Sequence, residues 1–189
     1  GSTTGAILER NIGSLDYTRI HNMYAQSRRT AESLACIFGA QYRIPITTAR
    51  AFTFIGPYQS IDAPWAINNF IRDAINGIDI RIRGDGSTRR SYLYGSDAAV
   101  WLLKIAIAGK NGEIYNVGGE EIISHSEVAY VLSKLCNYKP NVVFTGKSAV
   151  LDRKHDFFPD LSFGKSSLNL KQAFNVSLSL ERSIQWHSK

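Results

Sequence analysis

A helical pattern followed directly by a strand pattern is the feature that most constrains the fold of this chain. Residues 22–38 contain neither Pro nor Gly and predict an α-helix, for which Gly39 is the expected end. Residues 44–50 (IPITTAR) are rich in β-branched side chains and predict a strand. A helix, a short loop and a strand in this order are typical of a crossover unit in a parallel sheet. The sequence therefore predicts an α/β fold.

The remainder of the chain continues this alternation of helices and strands. Residues 51–64 predict a long loop, because Gly-Pro and Asp-Ala-Pro sequences interrupt them. Further helices are predicted at residues 65–76, 97–108, 124–136 and 180–187, and further strands at residues 78–83, 90–94, 113–117 and 141–144. The 97–108 segment is so apolar that we expect a buried helix, and Ser124 with Glu127 has the spacing of a capping box. Residues 147–165 predict irregular structure.

The composition is typical of a globular protein. The 189 residues, 44% of them hydrophobic and 20% charged, suit one domain or one domain and part of another. No run approaches the ~18 apolar residues that a membrane helix needs, so no membrane partner is predicted. Cys36 and Cys136 lie far apart in apolar helical segments. We therefore expect two buried free thiols, no metal site and a cytoplasmic protein.

The net charge of +6 includes one dense basic cluster. Arg81, Arg83, Arg89 and Arg90 fall within ten positions. Guanidinium groups bind phosphate through two parallel hydrogen bonds, so the cluster favours a compact phosphate ligand. Nucleic acid is a lower-ranked alternative, because the chain lacks the motifs that nucleic-acid recognition requires.

Tyr24 and Arg28 are the first candidate catalytic pair. They are four residues apart in the first predicted helix and therefore share one helical face. A cation beside a phenol favours the phenolate, so such a pair can exchange protons at neutral pH. A Tyr-x-x-x-Arg pair also arises by chance, and the spacing alone does not separate the two interpretations.

Six segments in order resemble the extended short-chain dehydrogenase/reductase family, the nucleotide-sugar epimerases and dehydratases. They are residues 2–7, 24–28, 50–57, 84–97, 115–119 and 159–162. The family motif Tyr-x-x-x-Lys appears here as Tyr-Ala-Gln-Ser-Arg, and the Tyr-Asn-Ile-Gly-Gly turn as Tyr-Asn-Val-Gly-Gly. The resemblance covers the whole chain but matches only the second half of the family, since no Gly-x-Gly-x-x-Gly loop occurs. We therefore expect a fragment of a longer enzyme.

The resemblance implies a fold and a set of roles. The fold is the C-terminal part of a Rossmann-like doubly wound parallel sheet (residues 1–64) plus a smaller mixed α/β substrate-binding lobe (residues 65–189), some of whose segments return to the sheet. The implied cofactor is NAD, with NADP as the alternative, and the implied partner is a nucleotide-diphosphate sugar. The implied catalytic residues are Tyr24, Arg28 and Thr4, and the implied cofactor contacts are Tyr24, Arg28, Ala51 and Phe52. The implied substrate contacts are Thr53, Asn69, Arg81, Arg83, Arg90 and Arg153.

Three departures from the family pattern keep alternatives open. Arg28 stands in place of Lys, Thr53 in place of a common Asn, and Phe157 in place of a common Arg. Residues 56–59 (GPYQ) resemble those of the sugar 4,6-dehydratases and favour that subgroup, yet no acidic pair follows Thr4, so an epimerase or 4-ketoreductase is a close alternative. A non-catalytic nucleotide-sugar-binding module is the alternative outside enzymes. The apolar side chains of residues 34–38 suggest a homodimer through the first helix.

Overall fold

The computed structural model describes residues 5–146 and 156–189. After a 3₁₀ turn at Ile20–Asn22, the helices are α1 (Met23–Tyr42), α2 (Ala66–Ile75), α3 (Gly95–Ala108), α4 (His125–Leu135), α5 (Ser162–Leu168) and α6 (Val176–His187). The strands are β1 (Thr48–Ala51), β2 (Thr53–Ile55), β3 (Ile80–Ile82), β4 (Arg89–Tyr94), β5 (Ile114–Val117), β6 (Ile122–Ser124) and β7 (Val142–Phe144).

Parallel strand pairs confirm the predicted α/β class. β1 pairs with β5, β2 with β4, and β3 with β7, all of them parallel, while β6 joins β4 antiparallel. Residues 114–117 thus pair with the first strand, although 62 residues separate the two strands in the sequence. None of the helices in the described ranges is long and apolar enough to cross a membrane.

The chain passes from one sheet to the next at Phe52. The backbone N–H of Phe52 donates to the carbonyl of Val117, 2.9 Å away, and the next residue, Thr53, already pairs with Tyr92 of β4. The predicted loop at residues 51–64 is therefore wrong in its first part. The loop begins only after Ile55, where Gly56 and Pro57 stop the strand.

Strand β4 separates two hydrophobic cores. Tyr92 is buried in one core with α2, α4 and α6, whereas its neighbour Leu93 is buried in the other with Trp101 and Tyr115. Successive side chains of a strand point to opposite faces, so one strand can supply both cores. The alternating side chains of β4 must consequently suit two different environments.

Helix α1 is the least buried of the long elements. Within it only Gly39 is buried. The prediction that Gly39 ends the helix is wrong, because α1 continues to Tyr42 and ends at Arg43 in a left-handed conformation with φ 56°. A Cβ on Gly39 would lie 2.6 Å from the Cγ1 atom of Ile46. This glycine therefore permits close helix–loop packing rather than termination.

Two predictions of burial are wrong because helices α1 and α3 each present a wide face to solvent. Cys36 on α1 is an exposed free thiol, while Cys136 is free and half-buried. In α3, Trp101 and Ile105 pack in the core, but the apolar side chains of Val100, Leu102, Leu103 and Ile107 are exposed. The apolar composition of residues 97–108 predicted the helix correctly, but it did not show that the outer face of α3 would be exposed.

The capping box of α4 is confirmed. The N–H of Glu127 donates to Ser124 Oγ, and the N–H of Ser124 donates to the Glu127 carboxylate. Besides β2, two short elements, α5 and β6, were not predicted. Helix α5 lies within the end of the segment expected to be irregular and just beyond it, where an αL residue, Asn169, ends it.

Candidate active site

Tyr24 lies in the first turn of α1 with its side chain 69% exposed. The Arg28 Cζ atom is 5.1 Å from the centroid of the Tyr24 ring, a cation–π distance. The predicted juxtaposition of the phenol and the cation is therefore present. Their catalytic role remains a prediction.

An ion pair from the sheet holds α1 in place. Arg50 of β1 donates through Nε and Nη2 to the two carboxylate oxygens of Glu32, at 2.9 and 2.8 Å, and through Nη1 to the carbonyl of Glu9, at 2.6 Å. The hydrogen bonds from Arg50 hold the pKa of Glu32 below its ordinary value. Sequence reasoning missed this anchor, because nothing local links residues 18 positions apart.

The two adjacent arginines of β4 have different surroundings. The Asp156 carboxylate, whose side chain is 1% exposed, accepts from the Arg89 backbone N–H at 2.8 Å, from Nε at 2.9 Å and from Nη2 at 2.7 Å. Arg89 is thus engaged in a structural ion pair that fastens residues 156–160 to β4. Arg90 donates through Nη1 to the carbonyl of Arg89, 2.9 Å away, and is the member of the pair that the family motif predicts as the diphosphate contact.

Arg90 lies beside two stacked phenylalanine rings. The centroids of Phe52 and Phe157 are 4.6 Å apart with their planes 28° from parallel, and the Arg90 Cζ atom is 5.9 Å from the Phe157 centroid. Burial lowers the pKa of the Arg90 guanidinium. Charges interact more strongly where water is partly excluded, so an anion at this position would be bound effectively.

Two titratable neighbours of Arg90 are uncharged near neutral pH. Burial lowers the pKa of His125 to about 4, with a further contribution from the Arg90 charge. Burial also raises the pKa of the Tyr92 phenol. A histidine cation therefore adds no positive charge beside Arg90. The Asp156 carboxylate, which is bonded to Arg89, also attracts the Arg90 charge.

The other predicted contacts are distributed over several elements. Ala51 ends β1 and is exposed, Thr53 is half-buried in register with Tyr92, Asn69 is half-buried on α2, and Arg81 and Arg83 are exposed. Arg83 follows β3 instead of belonging to it, and Arg81 lies in the β3–β7 sheet, separate from the sheet that contains Arg90. Thr4 and Arg153 lie outside the described residues.

The described residues fit one end of a dinucleotide better than the other. The accessible phenol of Tyr24, with its cation, and the exposed end of β1 suit a nicotinamide ribose. The glycines after β5 do not suit a pyrophosphate, because their space is already filled by the chain. A Cβ on Gly118 would lie 2.7 Å from Pro159 Cγ, and a Cβ on Gly119 would lie 2.6 Å from the carbonyl carbon of Tyr92.

The fold and these side chains define a class of protein. Its members are α/β proteins with an accessible Tyr–cation pair and an arginine beside aromatic rings. Residues 2–118 match the NAD dependent epimerase/dehydratase family, so the chain belongs to that family. The predicted family is thereby confirmed.

Individual relatives agree with this assignment. The chain is 30% identical to the UDP-N-acetyl-alpha-D-glucosaminuronate decarboxylase of Bacillus cytotoxicus, over 84% of this chain and 51% of the relative. It is 29% identical to a trifunctional UDP-glucose 4,6-dehydratase/UDP-4-keto-6-deoxy-D-glucose 3,5-epimerase/UDP-4-keto-L-rhamnose-reductase of Arabidopsis thaliana, over 89% of this chain and 25% of the relative. The chain thus spans from a quarter to a half of these curated relatives.

A solved structure has the same fold. The UDP-glucuronic acid 4-epimerase from Bacillus cereus in complex with NAD superposes with a TM-score of 0.80 and 24% sequence identity. The match covers 98% of this chain and 55% of that one.

Proposed function

We propose that the protein containing this chain is an NAD-dependent nucleotide-sugar epimerase/dehydratase that oxidises and remodels the sugar at C4, in the manner of dTDP-glucose 4,6-dehydratases. The observation that supports this most is the accessible Tyr24 phenol with Arg28 over its ring, inside the segment that matches the family. NADP is the alternative cofactor.

Each side chain has a role in this proposal. Tyr24 removes the proton from the C4 hydroxyl of the sugar and later returns it, with the Arg28 guanidinium 5.1 Å from the centroid of its ring. Arg90 binds the diphosphate. Bound NAD would supply the acceptor for the hydride that leaves C4.

The remaining predicted contacts complete the proposal. Thr4 would share the sugar oxygen with Tyr24, Ala51 and Phe52 would contact the cofactor, and Thr53, Asn69, Arg81, Arg83 and Arg153 would line the sugar-nucleotide pocket. We propose residues 1–64 as the end of a cofactor-binding domain and residues 65–189 as mainly the substrate lobe. A preceding half of the protein would provide the glycine-rich loop.

Oligomeric state and compartment belong to the same proposal. Leu34, Ile37 and Phe38 form an exposed apolar stripe on α1, which we propose as a homodimer contact. Free cysteines are usual in the cytoplasm, where we place the protein.

The proposal is tested by assaying the full-length protein with NAD and with UDP-glucose or dTDP-glucose. Replacing Tyr24→Phe removes the proton-transfer group, so kcat should fall by about 10²–10⁴-fold. Tyr17→Phe is the matched control, since Tyr17 is equally exposed (72%) but lies before α1, and it should retain full activity. The proposal is wrong if the wild-type protein changes neither substrate, or if Tyr24→Phe turns over as fast as the wild type.

One observation favours a second candidate, a nucleotide-sugar-binding module without turnover. Two of the three departures from the family pattern are engaged in stacking: Arg28 on Tyr24, and Phe157 on Phe52. Because a guanidinium is planar and an ammonium is not, Arg28 does not simply replace the family lysine. Tight binding of a nucleotide sugar by the full-length protein, without conversion, would identify this function.

A further inference from the structure

Phe52 and Phe157 form a stacked pair of rings beside Arg90, and we call this pair, with its accessible part at Phe157, the aromatic surface. The 4.6 Å separation and 28° tilt of the rings are those of offset stacking. Phe157 is 41% exposed, so part of this surface is accessible to a ligand. A partly desolvated cation and an aromatic ring therefore meet at one position.

Backbone packing fixes both rings before any ligand arrives. Phe157 donates its backbone N–H to the carbonyl of Arg89, 3.1 Å away, directly after the buried Asp156 ion pair. Gly118 packs between Phe52 and Pro159, where a Cβ would lie 3.1 Å from Phe52 Cβ. A surface held in this way loses little conformational entropy when a ligand binds.

We propose that the aromatic surface determines the specificity of the nucleotide-sugar site by stacking on an uncharged ring whose diphosphate is bound by Arg90. A phenyl group offers dispersion and a π-face but no positive charge, so at this position it selects a ring rather than a second anionic group. The ring is either the base or the apolar face of the sugar. This inference rests on the function proposed above.

The test is calorimetric titration of the full-length protein with UDP-glucose, UDP and inorganic pyrophosphate. Phe157→Leu keeps an apolar side chain but removes the ring, so the affinity for UDP-glucose should fall by about 3–10-fold. Pyrophosphate has no ring, and its affinity should change less than about twofold. Phe157→Arg adds a cation, and it should strengthen pyrophosphate binding by about fivefold or more while it reduces the preference for UDP-glucose over pyrophosphate.

Phe174→Leu is the matched control. Phe174 also packs against an aromatic ring, with its centroid 4.8 Å from that of Tyr94, and against an arginine, with Arg182 Cζ 4.6 Å from its centroid. Because it lies outside the proposed site, this variant should bind all three ligands as the wild type does.

The results of these titrations distinguish a failure of this inference from a failure of the proposed function. An equal loss for UDP and UDP-glucose identifies the base as the stacked ring, and a loss for UDP-glucose alone identifies the sugar. The inference is overturned if the wild type binds UDP-glucose and neither Phe157 variant changes the ratio of affinities for UDP-glucose and pyrophosphate. A wild-type protein that binds no nucleotide sugar overturns the proposed function itself.

Discussion

Arg89 and Arg90 show how strongly the position of a residue, rather than its type, decides its chemistry. Both belong to the basic cluster that favours a phosphate ligand. Arg89 is bonded through three N–H groups to Asp156, whereas Arg90 lies beside the aromatic surface. The sequence motif marked Arg90 as the ligand-binding member, but it gave no sign that Asp156 would engage the other.

The titration of His125 should make the stability of the fold depend on pH. Burial lowers its pKa from the ordinary 6.5 to about 4, so between these values the unfolded chain binds more protons than the folded one. Stability is therefore fully present above pH 6.5 and is lost as the pH falls towards 4. We expect the free energy of unfolding to decrease by ~2 kcal/mol between pH 6.5 and 5, at about 1.4 kcal/mol per pH unit.

Denaturant unfolding of the wild type and of His125→Gln at several pH values tests this expectation. The glutamine does not titrate, so the difference in stability between the two proteins should narrow, or reverse, as the pH falls from 6.5 to 5. Parallel pH profiles for the two proteins would contradict the assignment.

At the scale of elements, Gly119 shows why the segment after β5 carries two glycines. A Cβ at this position would lie within 2.6 Å of the carbonyl carbon of Tyr92, and that backbone belongs to a paired strand and cannot move away easily. Gly119→Ala should therefore lower the free energy of unfolding by about 1–3 kcal/mol.

Gly95→Ala is the control for this variant. Gly95 is the first residue of α3, and a Cβ on it meets nothing within 4 Å. Its substitution should change stability by less than about 0.5 kcal/mol in denaturant unfolding. If both alanine variants unfold at the same denaturant concentration, close backbone approach does not explain the Gly-Gly pair.

The sequence predicted elements better than it predicted their ends and their surroundings. Periodicity located α2 and α4 to within one residue at each end, because an amphipathic pattern and a capping box are local signals. Gly39 misled the prediction of the end of α1, since a glycine that permits close packing looks the same in sequence as one that ends a helix. Phe52 to Ile55 form strand and strand junction because β4 and β5 supply pairing partners, which no local pattern shows.

In the candidate site, too, local contacts could be predicted from the sequence and long-range contacts could not. The Tyr24–Arg28 pair follows from helical spacing alone, and the structure brings the two side chains together. The stacking of Phe157 on Phe52 joins segments 105 positions apart, and the Arg50–Glu32 ion pair joins a strand to a helix. Such contacts depend on tertiary packing, so a single sequence did not predict them.

At the scale of the molecule, α1 presents its polar and apolar faces in opposite directions. Gly39 and Glu32, seven residues apart, lie on the side of the helix that faces the strand and loop. The apolar stripe of Leu34, Ile37 and Phe38 lies on the other side, with each side chain about 60% exposed. An apolar stripe of this kind requires a covering partner, which we propose to be a second copy.

Ile37→Lys tests that partner in the full-length protein. A charge at the centre of an apolar contact should raise the dissociation constant of the dimer by at least about tenfold, as measured by sedimentation velocity. Ala40→Lys adds the same charge at an exposed position of α1 outside the stripe and should leave the dimer intact. A wild-type monomer, or an Ile37→Lys dimer of unchanged affinity, would contradict the proposed contact.

The position of β4 between two cores has a consequence for how this chain can vary. Tyr92 and Leu93 enter different cores, and Arg89 and Arg90 in the same strand have different partners. Inserting or deleting one residue between them would exchange the faces and would place a polar side chain where an apolar one is needed. The number of residues from Arg89 to Leu93 must therefore be preserved in any chain that keeps both cores.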